Sequence, residues 1–254
     1  MEIRRSLFER PHDQSTAAYR PGGKFRLTGL GCERRLDGTE PPPRRPPRKG
    51  LGYFVMPIVI TDNGSRNTVA VPADILMHQN GSIIFEGDDN NVVMEEGTVL
   101  LGGRIQFGSG CTFVSGRDCR LASIDVYAVK NGRVRIGDRT GFTWHTRLQL
   151  HEPGEIVIGA DCLIAGTTAL SVSDMHSLVD IESGHRINPA KNIVLGDRVW
   201  LGEGVKVLKG VSIGDGAAVG ASAVVTKDIP GNVVAAGIPA RVVRRGVTWR
   251  QELL

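Results

Sequence analysis

A six-residue repeat runs through the C-terminal part of the chain and restricts what the chain can fold into. From Leu195 onward the sequence divides into the hexads LGDRVW, LGEGVK, VLKGVS, IGDGAA, VGASAV and VTKDIP. The first position of each hexad is a large aliphatic residue, and the fifth is apolar. The first positions are Leu195, Leu201, Val207, Ile213, Val219 and Val225. The fifth positions are Val199, Val205, Val211, Ala217, Ala223 and Ile229. A period of six fits neither the helical period of 3.6 nor the two-residue alternation of an ordinary strand. It predicts an all-β fold, a parallel β-helix in which each hexad is one short strand and three strands, roughly 18 residues, close one coil.

The hexad frame recurs upstream in three further sets. The first positions of the two clearer sets are Ile136, Phe142 and Leu148, and Ile158, Ile164 and Leu170; those of a weaker set are Leu101, Phe107, Phe113 and Cys119. Between the sets the frame slips in three places, at about residues 125–134, 151–156 and 173–193. We expect each slip to be a loop that leaves the solenoid.

The composition agrees with this architecture. The chain has 33 glycines and 41% hydrophobic residues, but only 5% aromatic residues. We expect aromatic rings to be too wide for the interior of a narrow prism, whereas aliphatic residues can stack in columns inside it. Glycine recurs at the second hexad position, at Gly196, Gly202, Gly214 and Gly220. We expect these glycines at corners that need a positive φ or a close approach of two backbones.

The basic charge belongs to the first fifth of the chain. Residues 1–50 contain 12 Lys and Arg against 6 Asp and Glu, whereas the remainder contains 19 against 21. Seven of the 13 prolines also lie there. Such a stretch cannot bury enough apolar surface to offset its ordering entropy, so we predict a disordered arm. It is either a simple tail or a tether to an anionic surface. No aromatic interleaving accompanies the basic run, so no nucleic-acid partner is expected.

The domain prediction follows from these patterns. It comprises the arm at 1–50, lead-in strands or a cap at 51–88, the β-helix at 89–239, and a tail with a possible short helix at 240–254. No apolar run reaches the 18 residues of a membrane-spanning helix. The four cysteines, Cys32, Cys111, Cys119 and Cys162, form no CxxC motif and no framework spacing. This argues against structural zinc and disulfides, and it favours a cytoplasmic location.

Two segments resemble a known family. The run VWLGEGVKVLKGVSIGDGAAVGASAVVTKDIPGNVVAAGIPARVVRR, residues 199–245, resembles the C-terminal half of hexapeptide-repeat acyltransferases. The run SVSDMHSLVDIESGHRIN, residues 171–188, resembles the catalytic loop of the sugar and capsular-polysaccharide O-acetyltransferases in that family. The resemblance covers about residues 90–245. It implies a left-handed β-helix, acetyl-CoA as co-substrate, and a homotrimer with active sites at the subunit interfaces.

The chemistry of acetyl transfer indicates which residue type to look for. An alcohol is a weak nucleophile at neutral pH, so transfer from a thioester to a sugar hydroxyl needs a base, and histidine is suited to that role. His176 lies in the longest slip of the frame and, in its SDMHS context, is the predicted general base. Asp174, Asp180, Glu182 or a backbone carbonyl could orient its imidazole.

The resemblance assigns further roles. Trp200 follows His176 by the 24 residues that the family keeps, and it would line the acyl or acceptor cleft, with Asp174 nearby. His145 lies on a hexad that could face the same cleft. A backbone N–H near Gly202 would stabilise the oxyanion. Coenzyme A would contact Gly202, Glu203, Ala221, Thr226, Lys227, Arg241 and Arg244, where lysine and arginine would hold its phosphates.

Three other functions stay open at this point. A xenobiotic O-acetyltransferase would use a similar loop histidine and tryptophan. A non-catalytic β-helix could act as a scaffold. A γ-type carbonic anhydrase would bind zinc through three histidines, and His145 and His151, one hexad apart, would stack on one face; no third histidine completes that pattern. The acceptor, and whether the acyl group is acetyl or another short acyl, also stay open.

Overall fold

A computed structural model describes residues 17–19 and 57–253, except for the side chains of residues 17–19, Met77 and His78. Its secondary structure is almost entirely β. The elements in chain order are β1 Ala17–Tyr19, β2 Val59–Asp62, β3 Thr68–Val71, α1 Ala73–His78, β4 Asn80–Phe85, β5 Asn91–Met94, β6 Val99–Ser109, β7 Thr112–Ser115, β8 Arg120–Ala122, β9 Ile124–Lys130, β10 Gly132–Ile136, β11 Gly141–Phe142, β12 Thr146–Leu150, β13 Gly154–Ile158, β14 Leu163–Ile164, β15 Ala169–Ser171, β16 Ile193–Leu195, β17 Trp200–Leu201, β18 Lys206–Val207, β19 Ser212–Ile213, β20 Ala218–Val219, β21 Val224–Val225, β22 Val233–Gly237 and β23 Ala240–Arg245.

The strands form three parallel faces of a solenoid. Face A contains β3, β5, β7, β10, β13, β16 and β19. Face B contains β8, β11, β14, β17, β20 and β22, and face C contains β2, β4, β9, β12, β15, β18 and β21. The long strand β6 turns from face B to face C, because its start pairs with β8 and its end with β9. The all-β parallel solenoid predicted from the repeat is confirmed.

The observed register reproduces the predicted hexads. Leu195 pairs with Ile213, and Leu201 with Val219, so one coil corresponds to three hexads. All twelve residues at first and fifth positions from Leu195 to Ile229 are buried. They form one continuous core with the inward residues of the earlier coils. That core includes the fully buried Phe85, Phe107, Phe113 and Phe142, so the expectation that aromatic rings are too wide for the interior is wrong. Burial of these stacked aliphatic side chains is the main favourable term in the stability of the fold.

The corners of the prism have a regularity that the sequence analysis did not identify. We name them corner AB (such as residues 196–199), corner BC (such as 202–205) and corner CA (such as 208–211). The fourth hexad position has a positive φ at five of the six corners between residues 195 and 230; the residues are Arg198, Gly204, Gly210, Gly216 and Ser222. The glycines at second hexad positions instead allow the backbones of two neighbouring coils to approach closely. A Cβ at Gly214, for example, would lie 2.5 Å from the backbone nitrogen of Gly231 in the next coil.

Only one of the three frame slips is a loop that leaves the solenoid. At 125–134 the chain stays in the wall, since β9 and β10 are joined by Asn131 alone, which has a positive φ. At 151–156 three residues connect β12 to β13. In both places the hexad frame shifts because the strands are longer, and not because a loop leaves the solenoid. Residues 172–192, between β15 and β16, do leave the solenoid.

The two ends of the solenoid are closed differently. In the first coil α1 occupies the place of a face B strand, with Ile75 and Leu76 buried in the core. Parallel pairing begins with β2 and β3, upstream of the boundary predicted at residue 89. At the other end β23 pairs antiparallel with β22, so the predicted short helix at 240–254 is wrong for residues 240–245.

Little of the N-terminal region is described. Within the predicted arm at 1–50 the structure describes only β1, which pairs antiparallel with β3 at the edge of face A. The rest of that prediction lies outside the described residues, as does Cys32. Among the described helices none combines the length and apolar character needed to cross a membrane.

Candidate active site

The loop that carries His176 is a folded excursion at corner CA. It leaves after β15 and returns at β16. Its outer part is a small hairpin, in which Val179 and Arg186 form an antiparallel bridge and the Ile187 N–H donates to the Leu178 carbonyl at 2.9 Å. The turn of the hairpin is closed by Asp180, whose carboxylate accepts from the Ser183 N–H and hydroxyl at 2.8 and 2.7 Å.

Asn188 holds this loop together from inside. Its side chain is only 7% exposed. The amide nitrogen donates to Asp174 Oδ2 at 2.8 Å and to the backbone carbonyl of His176 at 2.9 Å, while the amide oxygen accepts from the Leu178 N–H at 2.7 Å. One buried side chain therefore fixes the backbone on both sides of His176. Removing it would leave these groups without their partner at a cost of about 1–3 kcal/mol.

Two ion pairs fasten the loop to the coils on either side. In the following coil, Lys209 Nζ donates to Asp174 Oδ2 at 2.5 Å and to the Asn188 carbonyl at 2.8 Å. In the preceding coil, Glu152 receives two hydrogen bonds from the Arg186 guanidinium, at 2.6 and 2.7 Å, and a third from the Ser173 hydroxyl. A bidentate arginine–carboxylate pair fixes geometry as well as charge.

These contacts shift the acid–base equilibria of the carboxylates. Arg186, and then Ser173, lower the pKa of Glu152 to about 2. Lys209, and then Asn188, lower the pKa of Asp174, and Ser183 lowers the pKa of Asp180. All three groups are therefore carboxylates at neutral pH, held by partners within the loop or its neighbouring coils.

His176 itself projects into solvent from this fixed loop. In the described part of the chain its imidazole has no hydrogen-bond partner. Of the carboxylates expected to orient it, Asp174 is engaged by Lys209 and Asn188, and Asp180 by Ser183. Neither hydrogen-bonds to the ring of His176, and the Glu182 carboxylate has no hydrogen-bond partner among the described residues. The backbone on either side, not a carboxylate, fixes the position of His176 within this chain.

Trp200 lies on a different part of the prism. It is the outward residue of β17 on face B, paired with Leu163 and Ala218, and its side chain is 40% exposed. Its indole packs against that of Trp249, with ring centroids 5.9 Å apart and planes tilted by 45°. Trp200 is thus held by the C-terminal segment of the chain, a contact that the hexad pattern does not reveal.

Several residues predicted to contact coenzyme A or the acceptor stack at corner BC. A Cβ at Gly202 would lie 2.7 Å from the backbone nitrogen of Ala221, and the Ser222 N–H donates to the Glu203 carbonyl at 2.7 Å. His145 lies at the same corner, in the turn from β11 to β12. The Gly202 N–H donates to the Val219 carbonyl at 2.8 Å. It is therefore not available for an oxyanion, and the donor predicted near Gly202 would have to be another backbone N–H.

The predicted phosphate-binding cations lie elsewhere. Thr226 and Lys227 follow β21 at corner CA, on the same corner as the His176 loop. Arg241 and Arg244 lie on β23. All of these side chains are exposed, and none of the three cations pairs with a carboxylate among the described residues.

The predicted site is therefore divided within one chain. His176, Thr226 and Lys227 lie at corner CA, whereas His145, Gly202, Glu203 and Ala221 lie at corner BC, and face C separates the two corners.

His145 and His151 lie at the two ends of β12 and therefore at different corners, so the expectation that they stack is wrong. In this solenoid a residue stacks on the residue one coil further along the chain, as Leu195 does on Ile213, and not on the residue one hexad further along. The His151 ring instead packs against Tyr127, with centroids 5.0 Å apart. Within the described residues no group of three His, Cys, Asp or Glu side chains is arranged to hold a metal ion.

Four residues that hold the loop of the candidate site were not predicted from the sequence: Asn188, Lys209, Glu152 and Arg186. Asn188 and Arg186 lie within the run HRIN that carries the resemblance, so that run contained a signal. Lys209 and Glu152 belong to ordinary hexad corners, and nothing local distinguishes them from solvated charges.

Comparisons with known proteins agree with this architecture. A family model described as bacterial transferase hexapeptide (six repeats) matches residues 192–227. The polysialic acid O-acetyltransferase of Escherichia coli O1:K1 / APEC is 43% identical over 129 residues, which cover 49% of this chain and 40% of that protein. The galactoside O-acetyltransferase of Escherichia coli (strain K12) is 36% identical over 119 residues, which cover 47% of this chain and 57% of that protein.

A solved structure extends the similarity over more of the chain. The crystal structure of the polySia specific acetyltransferase NeuO superposes with a TM-score of 0.73 at 30% identity, covering 77% of this chain and 83% of that one. By contrast, the chain spans 40% and 57% of the length of the two curated relatives above.

Proposed function

This chain belongs to the hexapeptide-repeat acyltransferase family, and on that premise we propose that it is an acetyl-CoA-dependent O-acetyltransferase that acts on a hydroxyl of a sugar or polysaccharide. The observation that carries the proposal is the exposed His176, held on a loop that Asn188, Lys209 and Arg186 fix from three directions. A general base needs a defined position and access to its substrate, and this arrangement supplies both.

The proposed reaction is a direct transfer in a ternary complex. The His176 imidazole accepts the proton of the acceptor hydroxyl while the hydroxyl oxygen attacks the thioester carbonyl carbon. The tetrahedral intermediate collapses with loss of the thiolate of coenzyme A, which takes up the proton from the imidazolium. No Ser or Cys nucleophile is needed, and the three described cysteines are buried.

The oxyanion of the intermediate needs a backbone donor that the coil does not already use. The Glu203 N–H, next to Gly202, has no partner among the described residues and is the proposed donor. Trp200 would line the cleft by the acyl group or the acceptor, with His145 and Asp174 as further cleft residues.

Acetyl-CoA is the proposed co-substrate. Lys227, Arg241 and Arg244 are exposed and have no carboxylate partner in the described chain, which suits them to its phosphates. The exposed methyl group of Ala221 leaves room for the pantetheine chain, with Thr226 beside it. Glu203 would contact the co-substrate through its backbone, because its carboxylate would repel phosphate.

We also propose that the site is completed between subunits of a homotrimer. The division of the predicted residues between corners CA and BC supports this, since the loop of one subunit could meet corner BC of the next. The loop presents exposed apolar side chains suited to such a contact; they are Met175, Leu178, Val179, Ile181 and Ile187. Closed rotational symmetry repeats the same contact around the ring. A cytoplasmic location fits buried, unpaired cysteines.

The names of the relatives suggest which acceptor to test first. Two of them act on polysialic acid and one on galactosides. We therefore propose an acidic polysaccharide of the polysialic acid type as the first candidate, ahead of small neutral sugars.

The test is a thiol-release assay with acetyl-CoA against polysialic acid, galactosides, nucleotide sugars and chloramphenicol-like drugs. His176→Ala is expected to lower turnover on the preferred acceptor by about 10²–10⁴-fold. His185→Ala is the matched control, an exposed histidine in the same hairpin, and it should retain turnover. Near wild-type activity of His176→Ala would reject the base. Turnover of the drugs alone would favour the xenobiotic enzyme, and absence of both turnover and acetyl-CoA binding would favour a scaffold.

A further inference from the structure

The C-terminal segment after β23 folds back along corner AB. The Val247 N–H donates to the Asn232 carbonyl at 3.1 Å in the last coil. Thr248 passes Gly216, whose added Cβ would lie 3.6 Å from the Thr248 hydroxyl. The Trp249 indole N–H donates to the Arg198 carbonyl at 2.7 Å. Three successive residues therefore contact three successive coils, and the last of them reaches the coil that bears Trp200.

The position of Trp249 is defined by two independent contacts. Its ring packs against Trp200, and its N–H is bonded to a backbone carbonyl at the corner that precedes Trp200. The half-buried indole of Trp249 thus has both its ring and its N–H engaged, which gives it one preferred orientation. Tilted aromatic pairs at this separation stabilise one another beyond the effect of their buried area.

A third observation supports the importance of this contact. Ala218 occupies the outward sixth hexad position on face B, directly beside Trp200 in the next coil, yet it is only 7% exposed. The residues at the same hexad position on the other faces, Lys206 and Ser212, are exposed. Ala218 is therefore covered on face B, the face on which Trp200 lies beside it and packs against Trp249.

We propose that Trp249 is a positioning residue for Trp200: the C-terminal segment holds the Trp200 indole in one orientation on face B and so determines how the acyl group or acceptor is seated against it. This inference rests on the proposed function, because the role of Trp200 does. It adds that the catalytic competence of the cleft depends on a segment that follows the last strand.

The experiment compares full-length Trp249→Ala and Trp249→Phe with Leu253→Ala, a fully exposed residue of the same segment. Trp249→Ala is expected to lower kcat by about tenfold or more, because small misplacements at a reacting centre have effects of that order. KM for acetyl-CoA should change much less. Trp249→Phe keeps an aromatic ring and should restore most of kcat, and Leu253→Ala should match wild type.

A double substitution separates positioning from general stabilisation. If Trp249 acts through Trp200, Trp249→Ala should cause little further loss of kcat in a Trp200→Phe background, because the two effects are then not additive. Equal losses in both backgrounds would overturn the proposal, as would wild-type kcat in Trp249→Ala.

A readout that does not depend on activity keeps the two proposals distinguishable. Protein labelled with 5-fluorotryptophan gives one ¹⁹F resonance each for Trp144, Trp200 and Trp249. The Trp200 resonance should shift in Trp249→Ala and stay in place in Leu253→Ala. An unchanged Trp200 resonance rejects the positioning role. If wild type lacks turnover while this shift is seen, the proposed function fails and the contact stands.

Discussion

Lys209 and Asp174 form an ion pair, with 2.5 Å between Nζ and Oδ2, that ties the loop of His176 to the coil that follows it. The two residues are distant in sequence, and the pair closes the loop at its base. Lys209 also donates to the carbonyl of Asn188 on the returning side of the loop. A single ammonium group thus joins both ends of the excursion.

Replacement of Lys209 should loosen this loop without unfolding the solenoid. In Lys209→Met the aliphatic stem remains and the two hydrogen bonds are lost. We expect faster hydrogen exchange of the loop amides and a kcat lowered by about tenfold, since a general base needs a defined position. The measurements are exchange by mass spectrometry and thiol release. Lys206→Met, in the same coil, is the control, and equal behaviour of the two variants would contradict the prediction.

Acidification should release the other side of the loop. The pKa of Glu152 is lowered to about 2 from an ordinary value of 4.5, by Arg186 and Ser173. A lowered carboxylate pKa contributes stability that is fully present above pH 4.5 and is lost as the pH falls toward 2. Wild type should therefore lose loop protection across that window, measured by hydrogen exchange at several pH values.

Glu152→Gln is the matched variant for this pH effect. The glutamine cannot ionise, so the loop amides of this variant should be less protected from hydrogen exchange at neutral pH. Residue 152 should then cause little further loss of protection between pH 4.5 and 2. If wild type and Glu152→Gln lose protection in parallel as the pH falls, another group is responsible.

The sequence was sufficient to predict the wall of the solenoid but not its corners. First and fifth positions could be read because burial selects one class of residue, the aliphatics, at both. The fourth position, with its positive φ, is occupied by Arg198, Gly204 and Ser222, which share no chemical property. Because such different residues all adopt a positive φ at this position, the sequence shows no repeated residue type there.

The position of the candidate base could be proposed from the sequence, but the contacts that hold its loop could not. His176 and Trp200 could be found from local runs and their spacing. Asn188 and Lys209 act through contacts across 12 to 35 positions of sequence, which exist only once the loop is folded. The contact of Trp249 with Arg198 spans 51 positions.

The buried cysteines should be chemically inert in the folded protein. Burial raises the pKa of Cys119 to about 11 and that of Cys162 to about 12, and it also raises the pKa of Cys111. Thiolates, not thiols, react with disulfide reagents, so these residues should stay unlabelled at pH 8. A Cys32→Ser variant should show almost no labelling by Ellman's reagent until denaturant is added. Rapid labelling before unfolding would contradict this.

Close approach between coils should make one glycine far more sensitive than another. An added Cβ at Gly214 would meet the Gly231 nitrogen at 2.5 Å and its Cα at 2.9 Å, both backbone atoms that cannot move aside singly. Gly214→Ala should therefore lower the free energy of unfolding by about 1–3 kcal/mol, the usual cost of overpacking.

At Gly141 the nearest atom to an added Cβ is Leu163 Cδ1 at 3.9 Å, an ordinary contact. Gly141→Ala should be neutral, or stabilising by up to about 1 kcal/mol through the lower entropy of the unfolded chain. Denaturant titration of both variants measures the difference. Because both substitutions add the same methyl group to the same solenoid, equal stabilities would show that contact between coils is not what selects glycine at the second hexad position.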